Sequence, residues 1–211
     1  MKSDSFIFDG AAKLANLLSH ISYFSVVRWS LGKFGYEISY FFVDCWVLGW
    51  FACAVLSSFI VIELYHPYLY AAIIIVSSIR ILEMITYQMN VLMFHPRSSK
   101  GISPLRGYRR SIILVIINYF EIIFWFTAYY LISRISGYIS IEQFSILTVF
   151  RESLLFMVGN STNAFTFNSL CPLVLATLQN VIGLFMTIVV LAHFVSLLPR
   201  RPTLDEEEKQ D

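Results

Sequence analysis

Apolar residues fill four long stretches of this chain, and polar residues gather between them. A lipid-spanning helix needs about 20 mostly apolar residues. The first qualifying stretch runs from Ser39 to Tyr65 and contains WVLGWFACAVLSSFIVIELY. The second runs from Pro67 to Phe94, the third from Ser111 to Ser133, and the fourth from Pro172 to Leu198. Pro67 and Pro172 stand at helix starts, where a missing N–H is tolerated. Pro96 and Pro199 close the second and fourth stretches. Ahead of them, Ala11, Leu14, Leu18 and Ile21 recur at helical spacing in a less apolar segment. That pattern predicts a helix lying along a membrane surface. The expected fold class is therefore an all-α integral membrane protein with four transmembrane helices. Its parts are an interfacial N-terminal region (1–38), a two-helix hairpin (39–94), a loop (95–110), a second transmembrane region (111–198) and a tail (199–211).

Composition strengthens this picture. Hydrophobic residues make up 57% of the chain, charged residues 14%, and the mean hydropathy is +0.69. A soluble domain carries nearer a quarter charged residues. The net charge of +1 gives no footprint for a nucleic-acid partner, but the positions of the charges are informative. The loop HPRSSKGISPLRGYRR holds Arg97, Lys100, Arg106, Arg109 and Arg110 and no acid. Positive loops stay inside, so this loop is expected in the cytoplasm. Four spans then place both termini there, with the chain in the cell membrane. Lys13, Arg28 and Lys33 before the first span agree, as do Arg200 and Arg201 after the fourth. The acidic tail DEEEKQD reads as a solvated end.

The segment from Arg134 to Cys171, 38 residues, is too long for a tight turn. Its second half, IEQFSILTVFRESLLFMVG, has helical periodicity, with Ile146, Val149, Phe150, Leu154 and Met157 close together. Arg151 and Glu152 interrupt it. A fifth crossing would also reverse the side of the C-terminus. The expected alternative is a half-helix that enters the lipid layer and returns as extended chain. Non-helical backbone survives at that depth only against protein or water. The polar run that begins at Gly159 suits a watery place. Glu152 reads either as a support behind this loop or as a neutraliser of Arg151.

The order of span, loop, short helix, Val-Gly, polar loop, Pro and a last helix with a central Gly resembles the pore module of the potassium-channel superfamily. ESLLFMVGNST carries the resemblance for pore helix and filter, and CPLVLATLQNVIGLFMTIVVLAHFVSLL for the inner helix. It covers residues 111 to 198. It implies a pore loop at Val158, Gly159, Asn160, Ser161 and Thr162, a helix hinge at Gly183, and a homotetramer around one axis. The family's filter reads Thr-Val-Gly-Tyr-Gly and then Asp. Here Met157 replaces the threonine, and Asn160, Ser161 and Thr162 replace the aromatic, the second glycine and the acid. Potassium selectivity is not implied; Asn160 and Ser161 imply a more hydrated, less discriminating site, or no conducting site at all.

On the fourth span Thr177, Asn180, Leu184, Thr187 and Leu191 lie on one helical face. They read as a cavity-lining stripe or as an interhelical contact. Three charges fall inside spans: Arg80 and Glu83 on the second, and Glu121 on the third, one turn from Asn118. A bare carboxylate there costs on the order of 3 kcal/mol. Arg80 and Glu121 are expected to pair across the helices, and Arg80 and Glu83 locally. One arginine is too few for a voltage sensor. Cys45, Cys53 and Cys171 lack metal or redox spacing. His20, His66, His95 and His193 are dispersed, and no catalytic or phosphate-binding motif occurs. Neither an enzyme, a cofactor nor a metal centre is expected. Two functions fit: a pore-loop ion channel, or a non-conducting membrane sensor or anchor that signals to a cytoplasmic partner, as in stress or phage defence.

Overall fold

The computed structural model describes residues 40–94 and 105–197. The expected surface helix, residues 95–104 of the basic loop and the acidic tail lie outside the described residues. The elements in order are α1 (Tyr40–Glu63), α2 (Pro67–Phe94), α3 (Leu105–Ile135), β1 (Ile139–Ile141), α4 (Ile146–Met157), β2 (Phe165–Phe167) and α5 (Leu170–Leu197). Helices α1, α2, α3 and α5 are each long and apolar enough to cross a membrane. The chain is an all-α, multi-pass membrane protein with one small two-stranded ribbon.

Helix α3 begins at Leu105, inside the stretch expected as loop up to residue 110. Arginine is a good helix former, so Arg106, Arg109 and Arg110 do not stop the helix. Long basic side chains can reach water from a first turn. Arg110 also finds an acid, donating to Asp44 of α1 at 2.7 Å.

Helix α3 is the central element. Of its spanning window, 61% is buried, against 28% to 39% for the other three helices. Helix α1 runs parallel to it in constant register: Asp44 meets Arg110, and fourteen residues on, Ser58 Oγ donates to Phe124 O at 3.3 Å. Helix α2 runs antiparallel. The Tyr129 hydroxyl lies 2.7 Å from Ser77 Oγ and 3.0 Å from Ser78 Oγ. Further along, the predicted intramembrane charges meet. Arg80 Nε donates to Glu121 Oε1 at 2.8 Å, and its NH2 group to Oε2 at 3.2 Å. Its NH1 group donates to Glu83 at 2.8 Å. Trp125 Nε1 donates to Glu121 at 3.3 Å, and the Trp50 ring of α1 lies 5.5 Å from the guanidinium carbon. All three charged side chains are buried. A guanidinium fork that serves two carboxylates in this way uses its fixed donor geometry, which lysine lacks.

At the ribbon end an aromatic cluster closes the bundle. Phe126, Tyr130, Phe156 and Phe165 stack with ring centroids 5.2 to 6.4 Å apart. Such pairs add about 0.5–1.5 kcal/mol each beyond their buried area.

The charge cluster generates a stability test. Arg80→Met leaves Glu83 and Glu121 buried without their cation. Removing one partner of a buried pair costs about 3–5 kcal/mol. A clear fall in Tm in detergent is expected. The triple replacement Arg80→Met, Glu83→Leu, Glu121→Leu is expected to recover most of it.

Candidate functional site

The polar loop is held by the elements on either side of it. Ser145 caps α4: its backbone is extended, and its hydroxyl accepts from Leu147 N at 3.2 Å. Such a cap satisfies one donor that the first turn leaves open. Strands β1 and β2 pair antiparallel, with Ile139 opposite Phe167, Ser140 opposite Thr166 and Ile141 opposite Phe165. Asn168 reinforces the ribbon, donating through Nδ2 to Gly137 O at 3.2 Å and Ser140 Oγ at 2.9 Å. The chain therefore leaves the ribbon, makes α4 and the loop, and comes back to the same place.

The far end of α4 is a helix stop. Asn160 N donates to Leu155 O at 2.8 Å, and Gly159 N to Phe156 O at 3.1 Å. Gly159 has φ +77. This is the Schellman arrangement, in which the residue past the cap is left-handed and is commonly glycine. Val158 and Gly159, which the resemblance implies at a filter, end α4 and turn the chain. The carbonyls of Leu155 and Phe156 are thereby occupied.

The tip of α4 rests on α5. A side-chain carbon added at Gly183 would lie 2.0 Å from Met157 O. Gly183 is thus a seat, needed because two backbones touch; its expected role as a hinge is a separate matter. The Tyr119 hydroxyl reaches the same carbonyl at 3.4 Å. One turn away, Gln179 joins three helices. It accepts from the Tyr130 hydroxyl at 2.6 Å and donates to Ser153 O at 2.8 Å and to Ser153 Oγ at 2.9 Å. Ser153 Oγ in turn donates to Ile123 O at 2.8 Å. Gln179, Ser153 and Tyr130 are fully buried.

Behind the loop lies Glu152, with none of its surface exposed. Its carboxylate accepts from Ser161 Oγ at 3.1 Å, from Thr162 N at 3.3 Å and from the Thr162 hydroxyl. Arg151 sits in front: it donates to Thr162 Oγ1 at 3.0 Å and lies 3.7 Å from Glu152. Both readings of Glu152 thus apply, and the grip on the loop is the tighter. The loop also bonds to itself. Asn160 Oδ1 accepts from Ser161 N at 2.8 Å, and Ser161 Oγ accepts from Asn163 N at 3.0 Å. Asn163 takes φ 58, a left-handed value that asparagine tolerates. Val158, Gly159, Asn160 and Thr162 remain exposed, and Ser161 is half-buried.

The stripe on α5 lies on a different surface from Gly183. Thr177, Leu184, Thr187 and Leu191 are exposed, and Asn180 is half-buried. Thr177 and Thr187 bond back to the carbonyls of Leu173 and Gly183 in their own helix. They make no interhelical bond among the described residues. The buried Asn180 Oδ1 has no hydrogen-bond partner among the described residues. Val174, Leu178, Val181 and Ile188 extend the same open face.

Reasoning from sequence passed over Gln179, Ser153 and Tyr130. An amide inside a spanning helix was the available signal, since such groups bond across helices. Asn180 carried that signal too and drew the attention. Among the described residues no group of three His, Cys, Asp or Glu side chains is placed to hold a metal ion.

Two substitutions probe this seat. Gly183→Ala must push Met157 away, and overpacking of this kind costs about 1–3 kcal/mol. A lower Tm and faster hydrogen exchange at residues 157–162 are expected. Glu152→Ala removes the acceptor of three donors on the half-open loop, and a hydrogen bond contributes about 0.5–1.5 kcal/mol net. It should loosen residues 160–163 more than Glu152→Gln does, by the same exchange measurement.

Comparison of the chain with protein-family models, with curated proteins and with solved structures found no match.

Proposed function

We propose that this chain is the subunit of a pore-loop ion channel in the cell membrane. In this reading α4 and the loop after it enter the lipid layer from the ribbon end and return to that end. Copies of the subunit, four by the resemblance, set their loops around a shared watery axis. Both termini then face the cytoplasm, as the basic segments require.

One observation carries the reading: the contact of Met157 with Gly183. Gly183 lies thirteen residues past Leu170, the start of α5. At 1.5 Å per residue that is about 20 Å along a spanning helix. A hydrocarbon layer is about 30 Å thick. The end of α4 thus sits beside the middle of α5, and the polar turn at Gly159, Asn160 and Ser161 sits there too. Exposed backbone at such a depth requires water or another subunit. The open, uncharged face of α5, with Thr177 and Thr187, is the surface that would line the path below.

A second reading has its own support. The Schellman closure turns the chain at Gly159, and the carbonyl of Met157, at the threonine position of a potassium-type filter, faces Gly183 and the Tyr119 hydroxyl. A non-conducting sensor or anchor, with this module as a rigid plug and a cytoplasmic protein as its partner, fits that closure.

Purified protein in planar bilayers separates the two. A channel gives unitary currents, and Asn160→Ala changes their amplitude. A plug gives silence across voltage, pH and salt, together with a stable cytoplasmic partner in pull-downs. Asn160→Cys, in a background lacking Cys45, Cys53 and Cys171, tests the depth. The reading expects modification by a small charged thiol reagent but protection from a bulky one. Equal reaction with both would place the loop in open solvent.

A further inference from the structure

Taken with the pore-loop reading, on which it rests, the charges around the loop indicate the ion. We infer that the loop favours small monovalent anions, with the exposed guanidinium of Arg151 as the selectivity-determining group.

Three features of the site lead to this assignment. First, the helix end that would favour a cation is spent. A helix C-terminus carries partial negative charge on its last carbonyls. In α4 those of Leu155 and Phe156 accept from N–H groups of the loop, and that of Met157 faces Gly183 and Tyr119. Second, the charges are unequally exposed. Between Ser136 and Leu170 the charged residues are Glu142, Arg151 and Glu152. Arg151 and Glu152 cancel in sum. The Arg151 side chain, however, is 56% exposed and the Glu152 side chain 0%. An ion at the loop meets the cation directly and the carboxylate only through protein. Glu142 is exposed in the turn after β1, on the ribbon side of α4. Third, the rest of the path is neutral. Helix α5 has no acidic or basic residue apart from His193. Asn160 uses its Oδ1 on Ser161 N, which leaves the amide NH2 group as the donor available to an ion.

Arg151 is six residues before Met157, so it stands roughly 9 Å nearer the ribbon end than the tip of α4. Its bond to Thr162 fixes it at the lip of the loop. Several copies around one axis would make a ring of guanidinium groups there. Rings of arginine or lysine favour anions in pores, as rings of acid favour cations. The occupant is therefore a chloride-sized anion that keeps part of its water.

The experiment uses the full chain in planar bilayers with a potassium chloride gradient. The reversal potential is expected near the chloride equilibrium value. Replacing chloride by gluconate should abolish the current that chloride carries. Replacing potassium by N-methyl-D-glucamine should leave it. Arg151→Gln, which keeps an N–H donor for Thr162, should lower the chloride-to-potassium permeability ratio several-fold, and Arg151→Lys should retain most of it. Steady currents that reverse at the potassium value would overturn the anion assignment and leave the pore reading intact. An unchanged ratio in Arg151→Gln protein that elutes like wild type would remove Arg151 from the role. Silence in every salt would overturn the pore reading and this inference together.

Discussion

A polar group inside a lipid layer must find its partner within the protein, because no water is there to supply one. Among the described residues each of the other long helices, and α4, finds such a partner on α3. Ser58 of α1 bonds to the carbonyl of Phe124, Arg80 of α2 to Glu121, Ser153 of α4 to the carbonyl of Ile123, and Gln179 of α5 to Tyr130. Each bond in isolation is modest, about 0.6 kcal/mol on average between membrane helices. Together they fix direction and register, which apolar packing against lipid-like side chains does not. This explains why α3 is the most buried span and why the others present open faces.

The same constraint shapes the loop. A chain that turns back inside the subunit must satisfy its own backbone. The Schellman turn does so at Gly159 and Asn160, the Asn160 side chain at Ser161 N, and Glu152 at Thr162 N. Gly183 then admits the tip because it has no side chain to oppose it. The result is a polar turn supported from behind by a buried carboxylate, with its front left open. The front differs from a carbonyl-lined filter in kind: it offers an amide, a hydroxyl and an exposed guanidinium.

The open faces belong to one function in the proposed reading. Helix α5 shows a continuous surface of Val174, Leu178, Val181, Leu184, Ile188 and Leu191, with Thr177 and Thr187 among them. Lipid alone would suit the aliphatic residues. The neighbouring polar turn has no such solvent in a single subunit. Closed symmetry, which places one patch from each copy around an axis, gives it water and gives α5 an inner side.

How much of this was legible in the residues differs from element to element. The four spans were, because about twenty apolar residues in a row have few other solutions. Helix α4 was, through its helical spacing and the polar run that ends it, although it starts at Ile146 and the stretch from Ile141 begins in the ribbon. The meeting of Arg80 with Glu121 followed from the cost of leaving either alone. Three things were not legible. Gly159 was expected at a filter; that it also ends α4 shows only in the hydrogen bonds of Leu155 and Phe156. Gly183 looked like a hinge, and its contact with Met157 comes from a residue far away in sequence. Gln179 was hidden beside Asn180, because a single helix does not reveal which of two adjacent amides faces Tyr130. Local composition and periodicity thus determined which segments enter the lipid layer. Which side chains meet there depended on how the helices pack, and that is a property of pairs of segments that no one segment contains.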